Sequence, residues 1–145
     1  MPDTPDNNQA LILYGDVPLL TRETLQRLLG AAKAGEVSLL TVDLDDPTGY
    51  GRIVRDNDEV IGIVEEKDAS VEELAVKEIN TGLMRLPVGR SRAWLAELGD
   101  DNALREFYLT DIIGMAVRDG VGVARSEEHT SELQSRSDLV CRLRL

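Results

Sequence analysis

The patterned region of the chain opens with an unbroken apolar run, ALILY at residues 10–14, that stops at Gly15-Asp16. A run this short, bounded by a turn signal, predicts a buried strand. Leu25, Leu28, Leu29 and Ala32 then recur at helical spacing. Thr21 is placed to cap that helix and Gly35 to stop it. A second apolar run, VSLLTV at 37–42, predicts another buried strand, and the turn-rich stretch Asp45-Asp46-Pro47-Thr48-Gly49 follows it. Residues 52–55 and VIGIVE at 60–65 flank the short polar connection Asp56-Asn57-Asp58-Glu59, which predicts a hairpin. Residues 70–76 can make a helical turn, and residues 79–86 read as a strand that stops before Pro87. Ser91 is placed to cap a helix carrying Trp94, Leu95 and Leu98. Thr110 is placed to cap a last helix, with Ile112, Ile113, Ala116 and Val117 inward and Gly120 at its end, and residues 121–123 open a further strand.

Strands alternating with helices, with one hairpin inserted, predict an α/β domain around a mostly parallel sheet. Ligands of such sheets sit beyond the carboxyl ends of the strands. The loops after ALILY and after the strand at 79–86 are therefore the first places to look. There is no internal repeat and no low-complexity linker.

Composition narrows the chemistry. A chain of 145 residues suffices for one domain with a modest core. No apolar run approaches the roughly 20 residues that cross a bilayer. The N-terminus, MPDTPDNNQA, is polar and acidic, unlike a secretory signal. A cytoplasmic protein is the expectation. A single Cys excludes an internal disulfide. The net charge of -11 disfavours nucleic acid and anionic membranes as partners, because no basic stripe is present to meet phosphates. A nucleotide substrate stays open, since Mg²⁺ and backbone N–H groups can hold its phosphates.

The character of the sequence changes at Arg125. Residues 125–135 resemble the in-frame translation of a sequencing-library adapter, and residues 125–145 show no sustained period. The expected organisation is thus a partial domain over residues 1–124 and a non-native tail over 125–145. The tail's four Arg offset Glu127, Glu128, Glu132 and Asp138, so the whole net charge lies in residues 1–124. His129 and Cys141, the sole His and Cys, also lie in the tail. Residues 1–124 thus offer no His base, no thiol nucleophile and no zinc site of the usual His/Cys kind.

Five segments remain as candidates, each with a structural alternative. Tyr14-Gly15-Asp16 closes the first strand, where an Asp could hold Mg²⁺ or could simply sit in a solvated turn. Thr48-Gly49-Tyr50-Gly51-Arg52 sets two glycines around an aromatic, suited to close approach of a ligand or to a turn leading into the hairpin. Glu65-Glu66-Lys67-Asp68 ends a strand, where a carboxylate can accept from sugar hydroxyls or face solvent. Glu78-Ile79-Asn80-Thr81-Gly82 places an amide in an otherwise apolar strand, where it must be satisfied by the fold or by a ligand. Tyr108-Leu109-Thr110-Asp111 is accounted for by helix capping alone.

Taken together and in order, LYGDVPL, LLTVDLDDPTGYGRIVR, GIVEEKDA, EINTGL and YLTDII resemble one family. It is the bacterial bifunctional N-acetylglucosamine-1-phosphate uridyltransferase/glucosamine-1-phosphate acetyltransferase, over part of its uridyltransferase domain. The resemblance runs from about Gln9 to Val123. It implies a truncated mononucleotide-binding, Rossmann-like nucleotidyltransferase fold. It also implies Mg²⁺-dependent transfer of a uridylyl group from UTP to N-acetylglucosamine 1-phosphate, which feeds peptidoglycan and lipopolysaccharide precursors. By the same resemblance Asp16 is a Mg²⁺ ligand, Tyr14 lines the site, Gly51 meets substrate through its backbone, and Glu65 and Asn80 bind the sugar.

The departures from the family pattern are specific. The family's glycine-rich LAAGxGTRM loop and the Lys behind it, which hold UTP phosphates, have no counterpart in these residues. Nor do the uracil-recognition loop and the acetyltransferase β-helix. A second metal ligand, an Asn in the family, would fall in the tail, where Asp138 is not a credible substitute. The chain resembles roughly a quarter to a third of the family's length and is expected to be inactive alone. Two other readings stand beside this one: a related sugar nucleotidyltransferase or glycosyltransferase, and a non-catalytic α/β module.

Overall fold

Alternation along β2 (Val37–Asp43) sets out the layers of the fold. Six of its seven residues are buried, and neighbouring side chains enter different cores. In this computed structural model, which describes residues 5–13 and 21–127, Val37 and Leu39 join the larger core with Ile53, Met84, Trp94 and Ile112. Leu40 joins Leu28 of α1 (Arg22–Gly30) and Leu83 in a smaller core. Successive strand residues face opposite sides of a sheet, so both faces of this one are covered by helices. Ser38 fixes the α1 side, its hydroxyl donating to the Leu28 carbonyl at 2.7 Å.

The remaining elements are β1 (Gln9–Ile12), β3 (Arg52–Asp56), β4 (Glu59–Val64), a 3₁₀ turn (Glu66–Asp68), α2 (Val71–Leu74), β5 (Glu78–Pro87), α3 (Val88–Glu97), α4 (Asp111–Arg118) and β6 (Val123–Glu127). The strand order is β4-β3-β5-β2-β6, with β1 pairing β5 as well. β2 covers one edge of β5, while β1 and β3 share the other, at its C-terminal and N-terminal ends respectively.

The expected α/β architecture and inserted hairpin are present, but the sheet is mixed rather than mostly parallel. Among the described strands only β2 and β6 run parallel. The cause is where the chain returns. Leu44 N–H bonds to the Lys77 carbonyl at 3.0 Å, so the whole excursion from β2 through the hairpin comes back at the same end of the sheet. A return at the same end gives antiparallel pairing; a parallel neighbour needs a crossover. Here β5 brings the chain back to the end where β2 starts, and α3 and α4 lie between it and β6.

Local signals mostly match the sequence. The hairpin closes through Asn57 and Asp58, both at positive φ (48° and 70°), as a two-residue turn that matches strand twist requires. Thr21 accepts the Thr24 N–H at 3.2 Å as an N-cap. Four expectations change, the first being that Thr110 makes no side-chain cap bond to α4. Leu29 is exposed and α1 ends at Gly30, before Gly35, because Arg85 of β5 donates to the Leu29, Ala32 and Lys33 carbonyls and holds the helix end. Ser91 lies inside α3, donating to the Pro87 carbonyl at 2.7 Å, because the helix starts directly behind the strand. β6 continues through Arg125, Ser126 and Glu127, so the first residues of the adapter-like segment pair with β2. Among the described residues no helix is long and apolar enough to cross a membrane.

Candidate functional site

A distortion in β5 creates the floor of a cleft. Against β2, Leu39 pairs with Met84 but Thr41 pairs with Asn80, so β5 carries extra residues between them. Gly82 takes φ 87°, and the Thr81 hydroxyl bonds to the Leu40 carbonyl at 2.7 Å in the interrupted ladder. Bulges of this kind re-aim side chains beside binding sites. Here Asn80, Thr81 and Gly82 all line the cleft. The Asn80 Oδ1 accepts the Gly82 N–H at 3.1 Å, which orients the side-chain amide.

One wall is the turn leading into β3. Gly49 sits at φ 84°, a conformation that favours glycine. Gly51 is constrained by space instead. A Cβ there would stand 3.0 Å from Ile63 Cγ2 and 3.3 Å from both carboxylate oxygens of Glu65. The Gly51 carbonyl accepts the Asn80 N–H at 3.0 Å, tying this wall to the floor.

Glu65, just after β4, faces the opposite wall. Its Oε1 accepts the Thr110 hydroxyl at 2.8 Å. The rest of that wall is the loop before α4, folded around Asn102, whose side chain bonds to the backbone of Leu104 and Glu106. Asp68 anchors the loop by accepting the Ala103 N–H at 2.7 Å. Tyr108 brings a hydroxyl that is buried and lacks a hydrogen-bond partner among the described residues. Burial, then the negative charges of Asp68, Glu106, Glu65 and Asp111, push its ionisation above the usual tyrosine value. It is held as a neutral donor. Burial and Asp68 likewise raise the Asp111 carboxyl.

The cleft is open, about 650 Å³ in volume, and brings Gly51, Glu65 and Asn80 together from three separate segments. Tyr14 and Asp16 lie outside the described residues. Among the described residues no group of three or more His, Cys, Asp or Glu could hold a metal ion. Tyr108 and Thr110, given no chemistry by the sequence, both line the cleft. The partner of Thr110 lies 45 residues away, so no local pattern could reveal the contact.

No protein-family model matches the chain. Individual proteins do. The bifunctional protein GlmU of Aromatoleum aromaticum is 59% identical over 124 residues, 85% of this chain and 27% of that protein. This chain is similar to one segment of GlmU. The GlmU proteins of Alkalilimnicola ehrlichii and Herminiimonas arsenicoxydans are 56% and 51% identical over 86% and 88% of the chain. The chain spans only 27–28% of the length of these curated relatives.

Solved structures establish the fold. A protein described as a glucose-1-phosphate thymidylyltransferase from Bacillus anthracis, in complex with sucrose, aligns with a TM-score of 0.57 at 19% identity, over 92% of this chain and 55% of that one. A nucleoside-diphosphate-sugar pyrophosphorylase from Vibrio cholerae aligns with a TM-score of 0.50 at 13% identity, over 74% of this chain and 47% of that one. The GlmU-like segment therefore has the α/β fold of sugar nucleotidyltransferases, over about half the length of those chains.

Proposed function

We propose that this chain is the sugar-binding part of a sugar-1-phosphate nucleotidyltransferase that joins UTP to N-acetylglucosamine 1-phosphate in the cytoplasm. One observation carries the reading: Gly51, Glu65 and Asn80 share a single cleft, although 14 and 15 residues separate them in turn. In the reaction a phosphate oxygen of N-acetylglucosamine 1-phosphate bonds to the α-phosphorus of UTP, and the bond to pyrophosphate breaks. Such transfers rest on positioning and charge neutralisation, not on a protein nucleophile. That suits a cleft lined by neither His nor Cys. Glu65 accepts hydrogen bonds from sugar hydroxyls through the carboxylate capacity that Thr110 leaves. Asn80 donates from its amide nitrogen. The Gly51 backbone lies flat against the sugar because no Cβ intervenes, and Tyr108 supplies a further donor. Mg²⁺, with Asp16 as its protein ligand and the phosphates as the others, would neutralise the phosphate charge.

Calorimetric titration of the chain tests this reading. N-acetylglucosamine 1-phosphate should bind weakly but more tightly than glucose 1-phosphate. Asn80→Ala and Glu65→Gln should each weaken it by about tenfold, or about 1.4 kcal/mol. Equal affinity for both sugars, unchanged in both variants, would refute the assignment.

A further inference from the structure

We propose that Arg52 and Glu66 form a part-buried clamp that holds the turn at residues 49–51 in its ligand-presenting form, as positioning residues for the cleft; the inference rests on the functional reading above. Arg52 opens β3 with its side chain only 3% exposed. Both terminal nitrogens of its guanidinium reach Glu66 Oε2 at 3.3 Å, and one also donates to the Tyr50 carbonyl. The same Glu66 oxygen accepts the Gly49 N–H. The pair thus grips the turn at a carbonyl and at an N–H, on either side of the bond that joins Gly49 to Tyr50. Gly51 follows directly and meets Asn80 at 3.0 Å.

With Arg52 buried and Glu66 about a quarter exposed, this ion pair contributes little net stability. Its effect here is to select one backbone arrangement. Two glycines give the turn many alternatives, and ordering it before a ligand arrives lowers the entropy lost on binding. The adjoining carboxylates divide the work. Glu65 bonds to Thr110 on the cleft wall, while Glu66 bonds to Arg52 and Gly49. A single short segment therefore couples a ligand-facing group to the clamp.

The test compares the full chain with Glu66→Gln and with the double variant Arg52→Met, Glu66→Met. Amide NMR follows hydrogen exchange and a titration with N-acetylglucosamine 1-phosphate. The expected result is a thermal midpoint within a few degrees of the wild type. With it should come Gly49 amide exchange at least about tenfold faster and affinity lowered by about tenfold. If the double variant does not fold, Glu66→Gln, which keeps the shape of the side chain, decides the matter. A folded variant that keeps either the wild-type Gly49 exchange rate or the wild-type affinity overturns the clamp. Unfolding of both variants also overturns it, by making the pair an element of stability. If the wild-type chain itself shows no response to the sugar phosphate, the functional reading fails and the clamp falls with it.

Discussion

Thr110 stands at the N-cap of α4 but does not cap it: its hydroxyl donates to Glu65 in the same wall of the cleft, Oγ1 to Oε1 2.8 Å. Thr110 has helical backbone angles, and α4 has no side-chain cap bond there. The hydroxyl therefore serves the cleft and not the helix.

Thr110→Val keeps the shape and removes the donor. Glu65 then loses its one fixed orientation. Stability should fall by about 1 kcal/mol, the worth of one hydrogen bond to a charged group at a partly open site. Affinity for N-acetylglucosamine 1-phosphate should fall further than that loss implies, and Thr110→Ser should restore it. Thermal melts and calorimetry on both variants check this. A Val variant that binds like the wild type contradicts the role given to Thr110.

Glu78 gives a pH dependence of defined sign. Burial disfavours its charge, but Arg55, at 2.7 and 2.8 Å, the Thr41 hydroxyl at 2.8 Å and the charge of Arg125 outweigh it. The folded-state value lies below the ordinary 4.5. The folded chain thus binds fewer protons than the unfolded one. The contribution of Glu78 is complete above that ordinary value and is lost as the pH falls through the folded one. The stability difference between wild type and Glu78→Gln should therefore be constant near neutrality and shrink on acidification below about 4.5. Denaturant melts across the acid range measure it. A difference that grows instead would reverse the assignment.

The layers of the fold were legible because burial writes itself into sequence. Val37, Leu39 and Leu40 form a run that fits a strand covered on both faces, and the polar Asn57-Asp58 pair marks the turn of the β3–β4 hairpin. Strand direction was not legible. It depends on where the chain re-enters the sheet at Lys77, a long-range fact with no local pattern. The cleft was legible in part. Gly51, Glu65 and Asn80 stood out through the resemblance, whereas Thr110 and Tyr108 look like ordinary helix-start residues until the structure sets Thr110 beside Glu65. The same holds for Arg85, whose work at the end of α1 is done 52 to 56 residues away.

The boundary at Arg125 is open to direct measurement. Ser126 is buried and Arg125 pairs with Glu78 at 3.2 Å, so β6 supports the sheet beyond Ala124. A chain ended at Ala124 should be less stable than one ended at Glu127 by about 1–2 kcal/mol, a drop of several degrees in midpoint. Equal midpoints would show that the strand's last residues add nothing.

On the functional reading, the chain alone should not turn over UTP and N-acetylglucosamine 1-phosphate in the presence of Mg²⁺. Its sequence contains no glycine-rich loop to hold the triphosphate. Pyrophosphate release above a blank without protein would contradict this, and would require a phosphate site elsewhere in the fold.

Whether the cleft holds a sugar phosphate can be seen in a crystal structure of the chain soaked with N-acetylglucosamine 1-phosphate. The sugar should lie between the 49–51 turn and Asn80, with the Glu65 carboxylate on a hydroxyl and the Thr110 bond intact. Density for the sugar at another face of the sheet, or an empty cleft at saturating ligand, would contradict this placement.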